Sequence, residues 1–261
     1  MIKTKRIQQI KEYVIQHQSV SLDDLVTTFG VSKNTIRRDV QKLVEEGHIQ
    51  KVYGGVAANH ARLGSFHDRQ TRNQLQKRWI AKDAAQLVDD GDVIFIDSGT
   101  TTLEMIHFIK EKELTVVTNN LDFIVKALPY TQLQVISTGG QLERKTKSFS
   151  SFTNTNDVLQ YNFDKVFMAS TGVSISNGVT NSSPVETSMK EMVVKKGREV
   201  ILLVDHTKFN KYAMLTYCQL DEIDYLITDD SLDTSYTTFF KKNHIKWIVA
   251  PSQDESQQTL T

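Results

Sequence analysis

The sequence contains one cysteine, Cys218, among its 261 residues. A single cysteine excludes an internal disulfide and any zinc site that needs several cysteines. The seven histidines show no metal-ligand spacing, and the Gly-x-Ser-x-Gly elbow of many hydrolases is absent. We therefore expect neither a metal nor another cofactor.

Long hydrophobic runs are missing as well. No apolar stretch approaches the length that crosses a membrane. The positively charged start, Met1–Arg6, is not followed by the apolar core of a secretory signal. The sequence therefore predicts a cytoplasmic protein with no membrane partner.

The net charge of zero hides an uneven distribution of charge. Residues 1–82 contain 15 lysines and arginines against 7 acidic residues, a balance of +8, and the remainder has 16 against 24, a balance of −8. A basic N-terminal part followed by an acidic body is typical of a DNA-binding module attached to a second domain.

Residues 31–47 predict an amphipathic helix with a basic face. Ser32 lies where an N-cap is expected, and Gly47 lies where a left-handed cap would end the helix. The inward stripe at helical spacing comprises Ile36, Val40, Leu43 and Val44. The other face carries hydrogen-bond donors that suit the DNA major groove, with Arg37 and Gln41 one turn apart for base edges.

The flanking segments complete a winged helix-turn-helix. Ser21 and Asp24 have the spacing of a capping box at the start of a preceding helix, and Gly30 supplies the turn. An alternating strand over 49–56, with Gly54-Gly55, predicts the wing. The predicted DNA-binding residues are Ser32, Lys33, Asn34, Thr35, Arg37, Arg38, Gln41, Lys42, Lys51 and Tyr53.

After the wing, helical patterns alternate with short apolar runs. The predicted strands cover residues 92–97, 114–118, 133–137, 165–169, 200–204, 225–228 and 246–249. This alternation predicts an α/β domain with a largely parallel sheet. The predicted organisation is a winged helix-turn-helix over 1–57, a linker over 58–76, the α/β domain over 77–250 and a flexible tail over 251–261. For Arg62, Arg69 and Arg72 in the linker we favour solvated charge over contacts with phosphate or the second domain.

Ligands of parallel α/β domains bind beyond the carboxyl ends of the strands, where this sequence places polar loops. Hydroxyls beside Gly99 and the N–H groups that open the next helix favour an anion site over a plain capped turn. We expect Lys208 to bind phosphate, and amides and Asp205 to bind hydroxyls. The predicted effector-binding residues are Asp97, Ser98, Gly99, Thr100, Thr101, Asn119, Asn120, Gly139, Gly140, Asp205 and Lys208.

These residues resemble the DeoR family of bacterial transcriptional regulators. The N-terminal match is Val31-Ser-Lys-Asn-Thr-Ile-Arg-Arg-Asp39 followed by Gly54-Gly55. The sensor markers are Gly91-Asp92, Asp97–Thr102, Val117–Asn120, Gly139-Gly140, Phe163–Lys165, Gly172, Gly178 and Asp205–Lys208. The resemblance implies a sensor with a fold like ribose-5-phosphate isomerase. It also implies a homo-oligomeric repressor of sugar-catabolic genes that binds operator DNA and a phosphorylated sugar.

Two alternatives stay open from the sequence. A sugar-phosphate isomerase with a DNA-binding appendage would need a general base, for which Asp97, Asp205 and Glu186 are candidates. An activator would carry the same helix-turn-helix as a repressor, because the distinction depends on where the operator lies. Of these functions, the sequence favours the non-enzymatic repressor.

Overall fold

The computed structural model describes residues 3–17, 19–45, 49–58, 66–150, 158 and 160–251. The chain forms two compact units, Met1–Arg62 and Leu63–Thr261. The predicted cap Gly47, the predicted linker residue Arg62 and the predicted tail beyond Pro251 lie outside the described residues.

The first unit is a winged helix-turn-helix, as predicted. Its elements are α1 (Lys3–His17), β1 (Ser19–Ser21), α2 (Leu22–Phe29), α3 (Lys33–Glu45), β2 (Ile49–Val52) and β3 (Gly55–Ala58). The three strands pair antiparallel in the order β1-β3-β2. The wing is therefore a hairpin of β2 and β3 rather than one strand, and β1 is a further strand that hydrophobic alternation does not reveal in three residues.

Local chemistry sets the ends of the helices in this unit. Ser21 accepts a hydrogen bond from the backbone N–H of Asp24, whose side chain accepts one from the N–H of Ser21, so the predicted capping box is confirmed. Gly30 ends α2 in the left-handed conformation with φ of 61°. Ser32 accepts from the N–H of Thr35 at 3.3 Å and caps α3 as predicted.

The core of the first unit contains one buried charge. The predicted stripe of α3 packs inward through Ile36, Val40 and Leu43, each less than 4% exposed. Asp39, beside this stripe, is 2% exposed and accepts a hydrogen bond from Arg6 Nε at 2.7 Å. The pair joins α1 to α3, and a buried carboxylate without such a partner would be strongly unfavourable.

The second unit is an α/β domain. In chain order its strands are β4 (Val93–Ile96), β5 (Leu114–Thr118), β6 (Leu133–Ser137), β7 (Gln141–Glu143), β8 (Ser148–Ser150), β9 (Phe163–Met168), β10 (Gly172–Ser174), β11 (Gly178–Asn181), β12 (Gly197–Leu203), β13 (Leu215–Cys218), β14 (Tyr225–Thr228) and β15 (Lys246–Val249). Its helices are α4 (Phe66–Thr71), α5 (Gln74–Ala85), α6 (Ile106–Ile109), α7 (Leu121–Ala127), α8 (Pro184–Lys196) and α9 (Thr234–Lys242).

Seven of these strands form one parallel sheet in the order β15-β14-β12-β9-β4-β5-β6. From β4 the chain first adds strands on one side, then crosses to β9 and adds the remaining strands on the other. The direction of winding therefore changes between β4 and β9. In an open α/β sheet, the crevice beyond the carboxyl ends of such strands is where ligands bind.

The structure corrects several predicted boundaries. Residues 66–71 and 74–76, assigned to the linker, are helical, and Phe66 is 3% exposed within the core of the second unit. The helix α5 therefore begins inside the predicted linker. The helix expected after Gly99 is a 3₁₀ turn, Thr102–Met105, followed by the short α6. The antiparallel pair β7-β8 and the three-stranded antiparallel sheet β10-β11-β13 are not predicted from the sequence.

Replacing Asp39 by alanine should destabilise the first unit by about 3 kcal/mol, because Arg6 would be left partly buried without its partner. Both tryptophans, Trp79 and Trp247, lie in the second unit, so their fluorescence does not report this change directly. Hydrogen–deuterium exchange of the α1 and α3 amides measures it.

Asp23→Ala is the matched control. Asp23 pairs with Lys33 at 2.6 Å, but both side chains are exposed, so its loss should cost less than about 1 kcal/mol. Equal exchange rates in Asp39→Ala and Asp23→Ala would contradict the structural role of the buried pair.

Candidate DNA interface and polar pocket

The exposed side of α3 and the wing together line a groove. The predicted DNA-binding residues that line it are Lys33, Arg37, Arg38, Gln41, Lys42 and Lys51. Asn34 is exposed on the same helix, and Tyr53 is fully exposed at the tip of the wing. Ser32 and Thr35 are 2.9 Å apart through their hydroxyls and form the helix cap. A groove of this kind brings helix donors and wing donors to one surface.

Some side chains of this surface are held by neighbours. Lys33 pairs with Asp23, and Lys51 Nζ donates to Gln41 Oε1 at 2.5 Å. Arg37 and Arg38 are exposed and make no ion pair with the residues that the structure describes. These two guanidinium groups are therefore available for phosphate or base edges.

A small polar pocket in the second unit lies where the sheet changes its direction of winding. It is bordered by the loop after β4 and the loop after β9. Its lining comprises Arg69, Asp97, Ser98, Gly99, Thr100, Thr101, Thr146, Ala169, Ser170, Thr171, Asn181, Glu186, Lys190 and Lys208. Three cationic side chains and two carboxylates give this lining a formal charge of +1, and this positive charge favours the binding of an anion.

Asp97 and Lys190 form a buried ion pair at the floor of the pocket. Asp97 is completely buried and Lys190 is 4% exposed. Lys190 Nζ donates to Asp97 Oδ2 and, at 3.0 Å, to the carbonyl oxygen of Ala169. The N–H of Ala169 donates to the same Asp97 oxygen at 3.0 Å. Asp97 Oδ1 is buried and has no hydrogen-bond partner among the described residues, so this oxygen can accept a hydrogen bond from a ligand.

Glu186 lies beside this pair in the first turn of α8. It is 3% exposed and accepts hydrogen bonds from Ser148 Oγ at 2.5 Å and Asn181 Nδ2 at 3.2 Å. Burial alone would raise the pKa of Glu186, but the charge of Lys190 and these hydrogen bonds hold that pKa below its usual value. Glu186 is therefore ionised at neutral pH.

Arg69 and Lys208 provide the cationic side of the pocket. Arg69 Nε and Nη2 are buried without a hydrogen-bond partner in the described part of the chain. Burial lowers the pKa of Arg69, opposed by Glu186 and Asp97, and also lowers the pKa of Lys208, opposed by Asp205. A guanidinium stays charged after such a shift, so its unpartnered N–H groups are strong donors for an anion.

The loop after β4 adds backbone donors. The N–H groups of residues 98–101 donate to no other described residue. Gly99 allows a close approach here, because a Cβ on it would lie 2.2 Å from the Cβ of Ala169. Free N–H groups beside hydroxyls suit a phosphate.

Six of the predicted effector-binding residues line this pocket: Asp97, Ser98, Gly99, Thr100, Thr101 and Lys208. The other five do not. Asn119 and Asn120 are buried, and Asn120 caps α7 and donates to the carbonyl oxygen of Gly99 at 3.4 Å. Asp205 caps the 3₁₀ turn His206–Lys208.

Gly139 and Gly140 follow β6, which is the edge strand. Two strand spacings of about 4.8 Å separate β6 from β4, so this turn lies away from the crevice. Both glycines have positive φ and therefore suit a turn.

Eight of the fourteen lining residues are not predicted as effector-binding from the sequence. The sequence favours a solvated linker charge for Arg69, whereas α4 carries it into the second unit. From the sequence, Glu186 is a candidate only for the general base of the isomerase alternative. The other residues not predicted are Thr146, Ala169, Ser170, Thr171, Asn181 and Lys190. The one available signal was the Ser183-Pro184-x-Glu186 start of α8, which places Glu186 and Lys190 one turn apart.

Comparison with known proteins places both units in one family. The DeoR-like helix-turn-helix domain matches residues 6–62, and the DeoR C terminal sensor domain matches residues 72–230. The chain belongs to the DeoR family. It is therefore a DNA-binding transcriptional regulator with a sensor domain, and the fold class predicted from sequence is confirmed.

Its relatives include three curated regulators. HTH-type transcriptional regulator IolR of Bacillus subtilis is 40% identical over 94% of this chain and 98% of the relative. HTH-type transcriptional regulator GlpR of Haloferax volcanii is 32% identical over 89% and 92%. The lactose phosphotransferase system repressor of Staphylococcus epidermidis is 31% identical over 88% and 94%.

A solved ribose 5-phosphate isomerase A from Methanocaldococcus jannaschii is 19% identical over 53% of this chain and 56% of that chain, with a TM-score of 0.40. A likeness of this extent carries no argument about activity. In the described part of the chain, no helix is long and apolar enough to span a membrane. The same residues contain no cluster of three metal-ligand side chains.

The pKa of Glu186 predicts a specific dependence of stability on pH. Because the folded pKa lies below the ordinary value of 4.5, ionised Glu186 stabilises the folded state above pH 4.5. That contribution is lost as the pH falls through the folded pKa. Glu186→Gln should therefore lower the free energy of unfolding at neutral pH but lose less of it on acidification than the unsubstituted protein.

Urea unfolding followed by tryptophan fluorescence, from about pH 7 to about pH 3, measures this difference. Glu191 on the same helix is not buried and provides the control, and Glu191→Gln should follow the unsubstituted protein. Parallel pH profiles for Glu186→Gln and the unsubstituted protein would contradict the assigned pKa direction.

Proposed function

We propose that this protein represses sugar-catabolic genes and that a phosphorylated sugar in the polar pocket changes its affinity for operator DNA. The observation that carries the ligand class is the guanidinium of Arg69, whose buried Nε and Nη2 have no partner among the described residues. Desolvating a charged donor without an acceptor is unfavourable, and a bound anion would remove that penalty.

The phosphate site comprises Arg69, Lys208 and the N–H groups after β4. These groups combine a charged fork, a point charge and backbone donors, which are the elements that proteins commonly use for phosphate. Thr100 and Thr101 add hydroxyls at the same loop.

The sugar hydroxyls would lie toward the two carboxylates. Asp97 Oδ1 is a buried acceptor that lacks a donor, and a ligand hydroxyl can supply one. Thr171 and Asn181 provide further polar groups nearby. A polyol monophosphate satisfies both the unpartnered cation and the unpartnered carboxylate oxygen, whereas phosphate alone satisfies only the first.

Relatives support the repressor assignment. The Staphylococcus epidermidis relative is named a lactose phosphotransferase system repressor, and a Bacillus subtilis relative, GlcR, is named an HTH-type transcriptional repressor, 26% identical to this chain. We propose the same direction of control here, acting in the cytoplasm. A homo-oligomer would present paired α3 helices to two half-sites, as other helix-turn-helix dimers do.

The isomerase alternative needs a general base with a pKa near the working pH. Glu186 has a lowered pKa, which makes it a weaker base, and Lys190 together with a backbone N–H occupies Asp97 Oδ2. Asp205, the third candidate, caps a turn outside the pocket lining. We therefore propose a pocket that binds its ligand without converting it.

Arg37→Ala and Arg38→Ala should each abolish specific operator binding while leaving the fold intact, because both side chains are exposed and project from α3. Fluorescence anisotropy with labelled operator DNA measures the affinity, and circular dichroism verifies folding. Lys82→Ala, which removes an exposed cation in the second unit, should bind DNA normally. Unchanged affinity in both arginine variants would contradict the proposed interface.

Arg69→Gln should weaken binding of the sugar phosphate about tenfold or more, which corresponds to about 1.4 kcal/mol or more for one lost charged hydrogen-bonding group. Isothermal titration calorimetry with a panel of sugar monophosphates measures the change. Arg72→Gln is the matched control, because Arg72 is exposed and does not line the pocket. Equal affinities for the two variants would contradict the role of Arg69.

A further inference from the structure

Gln41, on the exposed face of α3, is held from two sides by charged neighbours. Lys51 of β2 donates from Nζ to Gln41 Oε1 at 2.5 Å. Gln41 Nε2 donates to Glu45 Oε1, one turn further along α3, at 2.7 Å. The amide of Gln41 therefore connects α3 to the wing.

The chemistry of these neighbours determines which way the amide faces. An ammonium group has only donors and an ionised carboxylate has only acceptors. Turning the amide over would place its NH₂ against Lys51 and its oxygen against Glu45, and both contacts would become repulsive. The oxygen must face the wing and the NH₂ must face Glu45.

Each amide atom keeps unused hydrogen-bonding capacity in this arrangement. Oε1 has a second lone pair, and Nε2 has a second hydrogen. An acceptor and a donor side by side match the N6 amino group and N7 of adenine in the major groove. Guanine presents two acceptors at the corresponding edge, so it satisfies the donor of Gln41 but leaves Oε1 without a partner.

We propose that Lys51 and Glu45 position the amide of Gln41 so that the protein selects adenine at one position of its operator. Lys51 is then a positioning residue for base readout, and its main role is not phosphate binding. The proposal rests on sequence-specific DNA binding by the first unit. It adds Lys51 as a specificity determinant, which belongs to the wing but acts through Gln41 of α3.

A phosphate contact by Lys51 makes a different prediction. Loss of such a contact would weaken binding to all sequences about equally and would reduce the slope of log affinity against log salt by about 1. Loss of a positioning contact changes the preference at one base pair and leaves the other positions unchanged. The two roles are therefore separable by measurement.

The test selects binding sites from a random duplex library with the full-length protein and its variants. Gln41→Ala identifies the operator position that depends on Gln41, and this position should select adenine in the unsubstituted protein. Lys51→Met and Glu45→Ala should reduce the preference for adenine over guanine at this position about tenfold, with the remaining consensus unchanged. Lys51→Arg keeps a donor and should retain most of the preference.

Lys33→Met is the matched control, because Lys33 is an exposed cation on the same groove that pairs with Asp23 and not with Gln41. It should keep the adenine preference. The proposal is overturned if Lys51→Met weakens all sequences alike with the preference intact, or if the position that depends on Gln41 selects a base other than adenine. Failure of the unsubstituted protein to select any sequence would instead overturn the DNA-binding function on which the proposal rests.

Discussion

Charges buried at the carboxyl edge of the sensor sheet must be paired, and the pocket is arranged around this requirement. Asp97, Glu186 and Lys190 are each less than 5% exposed. A buried carboxylate is tolerated only where a cation and hydrogen-bond donors compensate for its lost hydration. Lys190 supplies the cation, and Ala169, Ser148 and Asn181 supply donors. The compensation is incomplete at Asp97 Oδ1 and at Arg69, and these two groups define what a ligand must bring.

The order of the strands explains why these groups meet. β4 and β9 are neighbours in the sheet but are separated along the chain by two further strands and a hairpin. Asp97 follows β4 and Ala169 follows β9, so the crevice between them collects residues that are far apart in sequence. The same order places Gly139-Gly140 at the edge strand, where a glycine pair in a polar loop has no part in the lining.

Much of the fold was predictable because its signals are local. Apolar runs buried on both faces, such as 114–118, predict parallel strands, and a capping box followed by Gly30 predicts the first helix of the helix-turn-helix. The short strand β11 was not predictable in this way. All four of its residues are buried, so it lacks the alternation that identifies an antiparallel strand. Such strands bring Asn181 to the pocket, and the predicted residues that line it, Asp97–Thr101 and Lys208, all lie at or after the ends of predicted strands. Ala169–Thr171 are not predicted to line it, although a predicted strand ends there.

The DNA-binding unit shows a similar division between local and distant signals. Exposure of Arg37 and Arg38 follows from helical spacing alone. The contact of Gln41 with Lys51 and that of Asp39 with Arg6 do not, since Lys51 belongs to the wing and Arg6 to α1. Sequence patterns indicate which face of a helix is polar, and long-range hydrogen bonds then decide which of those polar groups are free to bind.

Control of DNA binding by a phosphorylated sugar is the central claim, and it requires a ligand in one unit to change the affinity of the other. Anisotropy of labelled DNA from upstream of this gene and its neighbours, with sugar monophosphates and the matching free sugars added in turn, tests it most directly. We predict that one sugar phosphate changes the operator affinity and that its free sugar does not. Specific DNA binding that is indifferent to every phosphorylated sugar would contradict the claim.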